Sequence, residues 1–193
     1  MNPYEKNLVT SIKPITTAQE ALHRALISLY AREPFYRISV KELSVKAAVA
    51  RTTFYAYYQN TDELLVEIEN TLVFNITEHC KHFMHNPCSC ESDLLFFEDM
   101  LIYIRTNKDV LYTLLVSQPD LRFIEKWKNA IKYHFWERLF RERSAINSGL
   151  ILEIVASEAI GAFTYWLENT EDVDVSNVNK IIIAQLHALD FIG

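Results

Sequence analysis

The stretch "VKAAVARTTFYAYYQNTDELL", from Val45 to Leu65, has the most informative residue pattern in this chain. Within eight positions it holds one arginine, two threonines and four aromatic residues. At about 100° per residue, a helix here puts Phe54 and Tyr58 on one face. We expect that face to pack against Leu22, Leu26 and Leu43. The opposite face and its flanks carry small, hydroxyl and phenolic side chains: Thr52, Thr53, Tyr55, Ala56 and Tyr57.

The residues around this segment predict two short helices joined by a brief turn. Ser39 and Glu42 have the S-x-x-E spacing of a capping box, which starts a helix near 39–46. A second helix is expected near 50–58, and an earlier one near 16–31 braces both. This arrangement is a helix-turn-helix unit, in which the exposed helix face approaches base edges in DNA. The alternative is an ordinary helical subdomain with partly exposed aromatic residues.

Composition favours an all-α fold. The chain has 193 residues, half of them hydrophobic, and only three glycines. A β-rich fold needs many tight turns, which glycine usually supplies, so few glycines favour long helices with short joints. Neither GxGxxG nor GxxxxGK[ST] occurs, which removes the Gly-rich phosphate loops.

Charge is distributed unevenly along the chain. Residues 1–60 carry eight basic and four acidic residues, which gives 8 − 4 = +4. The remainder holds 19 − 8 = 11 basic and 25 − 4 = 21 acidic residues, or −10. A basic head on an acidic body suits a module that binds a polyanion. A chance distribution of surface charge is the alternative.

The segment "ISVKELSVKAAVARTTFYAYYQNTDELL" resembles the N-terminal domain of the TetR family of bacterial transcription regulators. The resemblance covers about residues 16–70, with the S-V-K-E-L start, the A-x-V turn and T-F-Y-x-Y-Y in register. It implies an all-α homodimer. Residues 1–60 would form a three-helix helix-turn-helix DNA-binding domain, and residues 61–193 a larger α-helical domain for ligand binding and dimerisation.

Carried over by position, the resemblance implies a set of DNA-contacting residues. On the recognition helix these are Arg51, Thr52, Thr53, Tyr55 and Tyr57, and on its neighbours they are Ser39, Lys41 and Thr61. Arginine and threonine suit base edges, whereas tyrosine hydroxyls reach phosphates. Three positions depart from the family: Ala48 replaces a turn glycine, Ala50 a capping Ser or Thr, and Thr61 a lysine. These departures point to weaker or more selective DNA binding.

The later helices predict an interface between two copies and a ligand pocket. Two apolar helices would pair with their symmetry mates through Leu150, Ile154, Phe163, Val178, Ile182, Leu186 and Leu189. Amphipathic aromatic residues are candidates to line a pocket for a small-molecule effector, namely Tyr103, Trp127, His134 and Trp166. Ordinary packing within one chain is the alternative for both sets.

Histidines and cysteines cluster in "HCKHFMHNPCSC". The cluster contains His79, Cys80, His82, His85, Cys88 and Cys90, which are ligand types for zinc and soft metals. The spacing lacks the paired C-x₂-C pattern of a zinc site, so we assign no metal. A thiol pair that senses oxidants, or an exposed helix end with incidental side chains, are the other interpretations.

Taken together, these patterns predict a ligand-responsive repressor that a small molecule releases from a near-palindromic operator in double-stranded DNA. A TetR-fold coactivator that binds a protein partner, and a metal- or thiol-responsive regulator, are the alternatives. We expect no enzymatic activity, because no nucleophile or carboxylate motif accompanies the histidines, and we assign no cofactor. Neither a signal peptide nor an apolar run of about 20 residues is evident, so we expect a cytoplasmic protein without a membrane partner.

Overall fold

The computed structural model describes residues 2–85, 100–140 and 147–190, where every regular element is helical. The all-α prediction is confirmed. In chain order the helices are α1 (Thr17–Tyr30), α2 (Val40–Ala47), α3 (Arg51–Tyr57), α4 (Thr61–His85), α5 (100–106), α6 (Lys108–Tyr112, continued by a π-helical stretch at Thr113–Ser117), α7 (Leu121–Leu139), α8 (Ser148–Glu168) and α9 (Val175–Asp190). The described side chains exclude those at 80–85, 138–139, 179, 183 and 185–190.

Helices α1 to α3 form a compact head, in which α1 and α2 begin with side-chain caps. Ser39 and Glu42 make the predicted capping box at the start of α2. At the start of α1, Thr16 and Gln19 make a second box. The head is closed by side chains that are at most 4% exposed: Leu22, Leu26, Leu43, Phe54 and Tyr58. The predicted packing of the inward face of α3 is therefore confirmed.

The turn between α2 and α3 is strained at one residue. Ala48 adopts φ 53° and ψ 37°, the left-handed region that glycine enters without steric cost. The Val49 N–H still donates to the Ser44 carbonyl at 3.0 Å, so the helix end is hydrogen-bonded. Ala50 precedes α3 and provides no side-chain cap. Alanine thus stands at position 48, where the left-handed backbone favours the family's glycine, and at position 50, where a free helix start favours the family's Ser or Thr.

Helix α4 is fixed to α7 through a buried carboxylate. The Glu69 side chain is 0% exposed, and its Oε1 accepts from Arg122 Nη2 at 2.7 Å. Its Oε2 lies 2.8 Å from Lys126 Nζ. A buried carboxylate is tolerated only when cations and hydrogen bonds replace its water. The position of α4 therefore depends on this cluster.

Helix α8 packs against α7 and α9 and contributes one face to the body's core. Its inward face holds Leu152, Val155, Ala159, Phe163 and Trp166, and the Phe163 ring stacks on Trp127 with centroids 5.7 Å apart. By length and composition alone, α8 could cross a membrane, which corrects our expectation that no apolar run is long enough. Core helices have the same composition, and α8 buries this face against its neighbours.

Candidate DNA-binding surface and adjoining cavity

Helix α3 separates its side chains into a buried and an exposed face. Phe54 is 0% exposed, whereas Tyr55 is 53% and Tyr57 41% exposed. Arg51 and Thr52 are also exposed, and Thr53 is half-buried. The phenols, guanidinium and threonine that sequence reasoning assigned to DNA thus lie at the surface of the head.

The residues predicted to contact DNA from neighbouring helices differ in availability. Lys41 is exposed and Thr61, the first residue of α4, is half-buried. Ser39 is exposed, but its hydroxyl donates to Glu42 Oε2 at 2.7 Å and accepts from the Glu42 N–H. The Ser39 hydroxyl and the Ser39 backbone N–H both donate to the Glu42 carboxylate, and these two hydrogen bonds hold the pKa of that carboxyl below its usual value. The Ser39 hydroxyl therefore serves the helix cap.

Sequence reasoning missed further exposed residues on the head. Tyr36 is 80% exposed in the loop before α2, and the Arg37 guanidinium lies 5.7 Å from its ring centroid. Val45 on α2 is 75% exposed. The adjacent Tyr36 and Arg37 in the sequence could have indicated an exposed aromatic and cationic pair in this loop.

A buried polar cluster connects α3 with α1 and α4. Glu67 Oε1 accepts from the Tyr58 hydroxyl at 2.6 Å and lies 2.8 Å from His23 Nε2. Gln19 Nε2 donates to the Tyr58 oxygen at 3.1 Å. Tyr58 is the C-cap residue that directly follows α3. The orientation of α3 relative to α1 and α4 is therefore held by hydrogen bonds as well as by apolar packing.

Burial shifts the pKa of His23 and Tyr58 within this cluster. It lowers the pKa of His23, an effect that the hydrogen bond with Glu67 opposes. Burial, followed by the hydrogen bond to Glu67, raises the pKa of Tyr58. The phenol consequently remains protonated and donates to Glu67.

A cavity of about 770 Å³ lies beside this cluster, between α1 and the α4–α6 region. Ile27, Ile68 and Leu72 line its apolar part, and His23 forms part of its wall. Hydroxyl and amide groups line the remainder: Ser28, Thr71, Tyr103 and Asn107. The cavity therefore adjoins both the head and the body, and combines an apolar surface with hydrogen-bonding groups.

The four predicted pocket residues do not form one site. Tyr103 lines this cavity, and its hydroxyl accepts from Asn75 Nδ2 at 3.1 Å. Trp127 is 2% exposed and belongs to the core, because it fills the space between α7 and α8. Trp166 is 4% exposed and lines a separate cavity of about 520 Å³ with Arg105 and Asp174. His134 lines neither cavity.

The outward face of α8 carries an apolar stripe. Leu150 is 61%, Ile154 49% and Tyr165 60% exposed, and Ile181 on α9 is 60% exposed. Of the other predicted interface residues, Ile182 is half-buried, whereas the Leu186 and Leu189 side chains lie outside the described residues. Phe163 and Val178 were also expected in the interface, but they are only 4% and 6% exposed and pack inside the chain. Because α8 is apolar nearly all round, its pattern did not distinguish the two faces.

The histidine–cysteine cluster falls mostly outside the described residues. This holds for the side chains of Cys80, His82, His85, Cys88 and Cys90. His79 is described, and its ring centroid lies 5.5 Å from that of Tyr103. Within 2–85, 100–140 and 147–190, no three described His, Cys, Asp or Glu side chains form a group that could hold a metal.

Comparisons with known proteins agree on a family. Residues 91–187 match the family model TetR_C_8, described as a transcriptional regulator C-terminal region. Over 124 residues the chain is 25% identical to DhaS of Lactococcus lactis subsp. lactis (strain IL1403), the activator of the dhaKLM operon. That match spans 63% of this chain and 62% of DhaS, somewhat less than two thirds of the relative.

Solved structures share the fold. A TetR transcriptional regulator from Streptococcus agalactiae 2603V superimposes with a TM-score of 0.65 and 22% identity, over 87% of this chain and 92% of that one. FadR of Thermus thermophilus, a TetR-family repressor solved in complex with lauroyl-CoA, gives a TM-score of 0.54 and 20% identity. It covers 87% of this chain and 92% of FadR.

Proposed function

The chain belongs to the TetR family of transcriptional regulators, and from this premise we propose that it is a homodimer that reads a near-palindromic DNA site through α3 and responds to a small molecule. The observation that carries this proposal is the division of α3. Phe54 fixes the helix from inside the head, while Arg51, Thr52 and Tyr55 are exposed on its other side.

These exposed side chains have the chemistry that DNA recognition needs. An arginine can make a bidentate contact with guanine, and a threonine methyl can touch a thymine methyl. Tyr55 and Tyr57 carry hydroxyls that suit phosphates, and Lys41 adds a cation on α2. The net charge of +4 on residues 1–60, the difference of eight basic and four acidic residues, attracts the phosphate backbone.

Dimerisation is supported by the stripe on α8. Leu150, Ile154 and Tyr165 recur at helical spacing and are each about half or more exposed. Pairing this stripe and Ile181 of α9 with a second copy would bury them in a four-helix arrangement. A twofold dimer presents two α3 helices, which explains the choice of a near-palindromic site.

The response to a small molecule follows from a difference in affinity between two states of the dimer. An effector that binds one spacing of the two α3 helices better than the other shifts the population toward that spacing. FadR, a repressor of this fold, was solved with lauroyl-CoA. We propose repression with release by ligand as the direction of control.

A second candidate is activation. DhaS, the sequence relative, is named as an operon activator. Backbone strain at Ala48 and the missing cap at Ala50 lower the stability of the turn before α3. A less stable α3 also suits a regulator that acts with a protein partner. Transcription from a promoter that contains the selected site would rise with this protein present, whereas a repressor would lower it.

Selection of bound duplexes from a random DNA pool tests the shared part of both candidates. The salt concentration must be fixed near physiological, because phosphate binding depends steeply on it. We expect an enriched inverted repeat. Folded, dimeric protein that enriches no sequence would contradict the proposal and favour a coactivator without an operator.

A further inference from the structure

The cavity of about 770 Å³ between α1 and the α4–α6 region, here called the junction cavity, lies where a ligand could act on the DNA-reading head directly. Its volume is within the range of small-molecule sites, which form preferentially where two parts of a protein meet. We propose that the junction cavity is the effector site and that its ligand is a neutral, amphipathic organic molecule. This inference rests on the proposed function.

The charges around the junction cavity indicate a neutral ligand. Glu20 and Asp109 contribute two carboxylates, and Arg24 and Arg32 contribute two guanidinium groups. Arg24 Nη1 already lies 4.0 Å from Glu20 Oε2. With equal numbers of opposite charges at its rim, the cavity offers an ionised ligand no net attraction to offset its lost hydration.

The interior of the cavity indicates an amphipathic ligand. Ile27, Ile68 and Leu72 line the cavity with apolar side chains. Each is at most 8% exposed, so the surrounding core holds these side chains in place. Ser28 and Thr71 are half-buried and supply hydroxyls from α1 and α4. Such a site binds an apolar ring or chain and orients it through a few hydrogen bonds.

The wall of the cavity is connected to the recognition helix. The His23 side chain is 15% exposed and pairs with Glu67, which in turn accepts the Tyr58 hydroxyl at 2.6 Å. A ligand that displaces His23 would change the hydrogen bonds of Glu67, and through them the position of Tyr58, the C-cap residue of α3. Occupancy of the cavity would thereby change the orientation of α3 relative to α4, which is the difference between states that a regulator needs.

The binding site is tested with the neutral fluorescent probe N-phenyl-1-naphthylamine. Ser28→Tyr and Thr71→Tyr each place a ring in the cavity, from α1 and α4 respectively. Thr17→Tyr is the matched control, because Thr17 is exposed on α1 and does not line the cavity. We expect each filling variant to lose about tenfold or more in probe affinity, while the control binds as the wild type does.

Hydrogen exchange locates the probe in the wild-type protein without relying on any variant. Added probe should increase protection in residues 20–32 and 103–113. Absence of probe binding, unchanged affinity in folded filling variants, or protection confined to other residues would each overturn the assignment of the cavity.

Tyr58→Phe tests the connection to α3, since it removes only the hydroxyl that Glu67 accepts. We expect this variant to bind the probe within about twofold of wild type, while the probe no longer changes its affinity for the selected DNA. A probe effect on DNA affinity as large as in wild type would overturn the proposed route. Because probe binding is measured without DNA, failure of the site is distinguishable from failure to select an operator.

Discussion

Replacing Ala48 by glycine should stabilise the protein, because the turn between α2 and α3 holds this alanine at φ 53°. An L-residue with a Cβ in the left-handed region is disfavoured by about 1–2 kcal/mol. Ala48 is exposed, so its methyl group contributes no core packing that the substitution would remove. The backbone hydrogen bond from Val49 to Ser44, at 3.0 Å, involves neither side chain.

The expected gain is smaller than the strain. Glycine gives the unfolded chain more conformational freedom, which costs about 0.4–1 kcal/mol on folding. Relief of strain less this cost leaves about 0–1.6 kcal/mol in the free energy of unfolding, with a midpoint of about 0.8 kcal/mol. For a domain of this size that corresponds to a rise of about 1–4 °C in Tm.

Urea unfolding followed by circular dichroism measures this difference, with Ala47→Gly as the matched control. Ala47 is the last residue of α2. There the same change should cost up to about 1 kcal/mol, because glycine is a poor helix former. The two variants should therefore shift the unfolding midpoint in opposite directions. If Ala48→Gly lowers it as Ala47→Gly does, the argument from backbone strain is wrong.

Three further predictions concern the body. Glu69→Ala should cost about 1–3 kcal/mol in the free energy of unfolding, because it removes the carboxylate shared by Arg122 and Lys126, which then keep only Asp62 and Asn70 as partners. Hydrogen bonds from Lys128 and Lys132 lower the pKa of Glu153 to about 2, so its contribution is present above pH 4.5 and is lost as pH falls toward 2. Glu153→Gln should reduce the change in the free energy of unfolding between pH 2 and pH 4.5. The difference should be no more than about 1 kcal/mol, because the Glu153 side chain is 45% exposed. Ile154→Glu should dissociate the dimer in sedimentation experiments, since it places a charge within the apolar stripe.

Each of these has an outcome that would contradict it. A cost below about 1 kcal/mol for Glu69→Ala would mean that the cluster is not needed to hold α4 on α7. An unchanged pH profile between 2 and 4.5 in Glu153→Gln would remove the inferred role of the two lysines. An Ile154→Glu protein that remains dimeric would move the interface away from the outward face of α8.

The sequence predicted the parts of the fold that depend on local chemistry. Ser39 and Glu42 lie in a capping box because their spacing satisfies each other's backbone donors, and this holds in any tertiary setting. The inward position of Phe54 follows from helical periodicity within one short amphipathic helix. Both features are encoded within a few residues of each other.

Features that depend on distant contacts were not predictable from pattern. Trp127 and Tyr103 are both amphipathic aromatic residues, yet one fills the core and the other lines a cavity. Phe163 and Tyr165 both belong to an apolar helix, and only the packing of α8 on α7 determines which faces inward. His23 and Glu67 are separated by 44 positions, and neither lies in a motif that predicts their contact.

Repeating the DNA selection with Arg51→Ala, beside the wild-type protein and Lys41→Ala, shows whether α3 reads bases. We expect Arg51→Ala to lose about 1–3 kcal/mol of discrimination at one position in each half-site. Lys41→Ala should instead weaken binding to all sequences alike. If Arg51→Ala selects the same repeat with the same base preferences as the wild type, Arg51 does not read DNA sequence and the placement of the base-reading face is wrong.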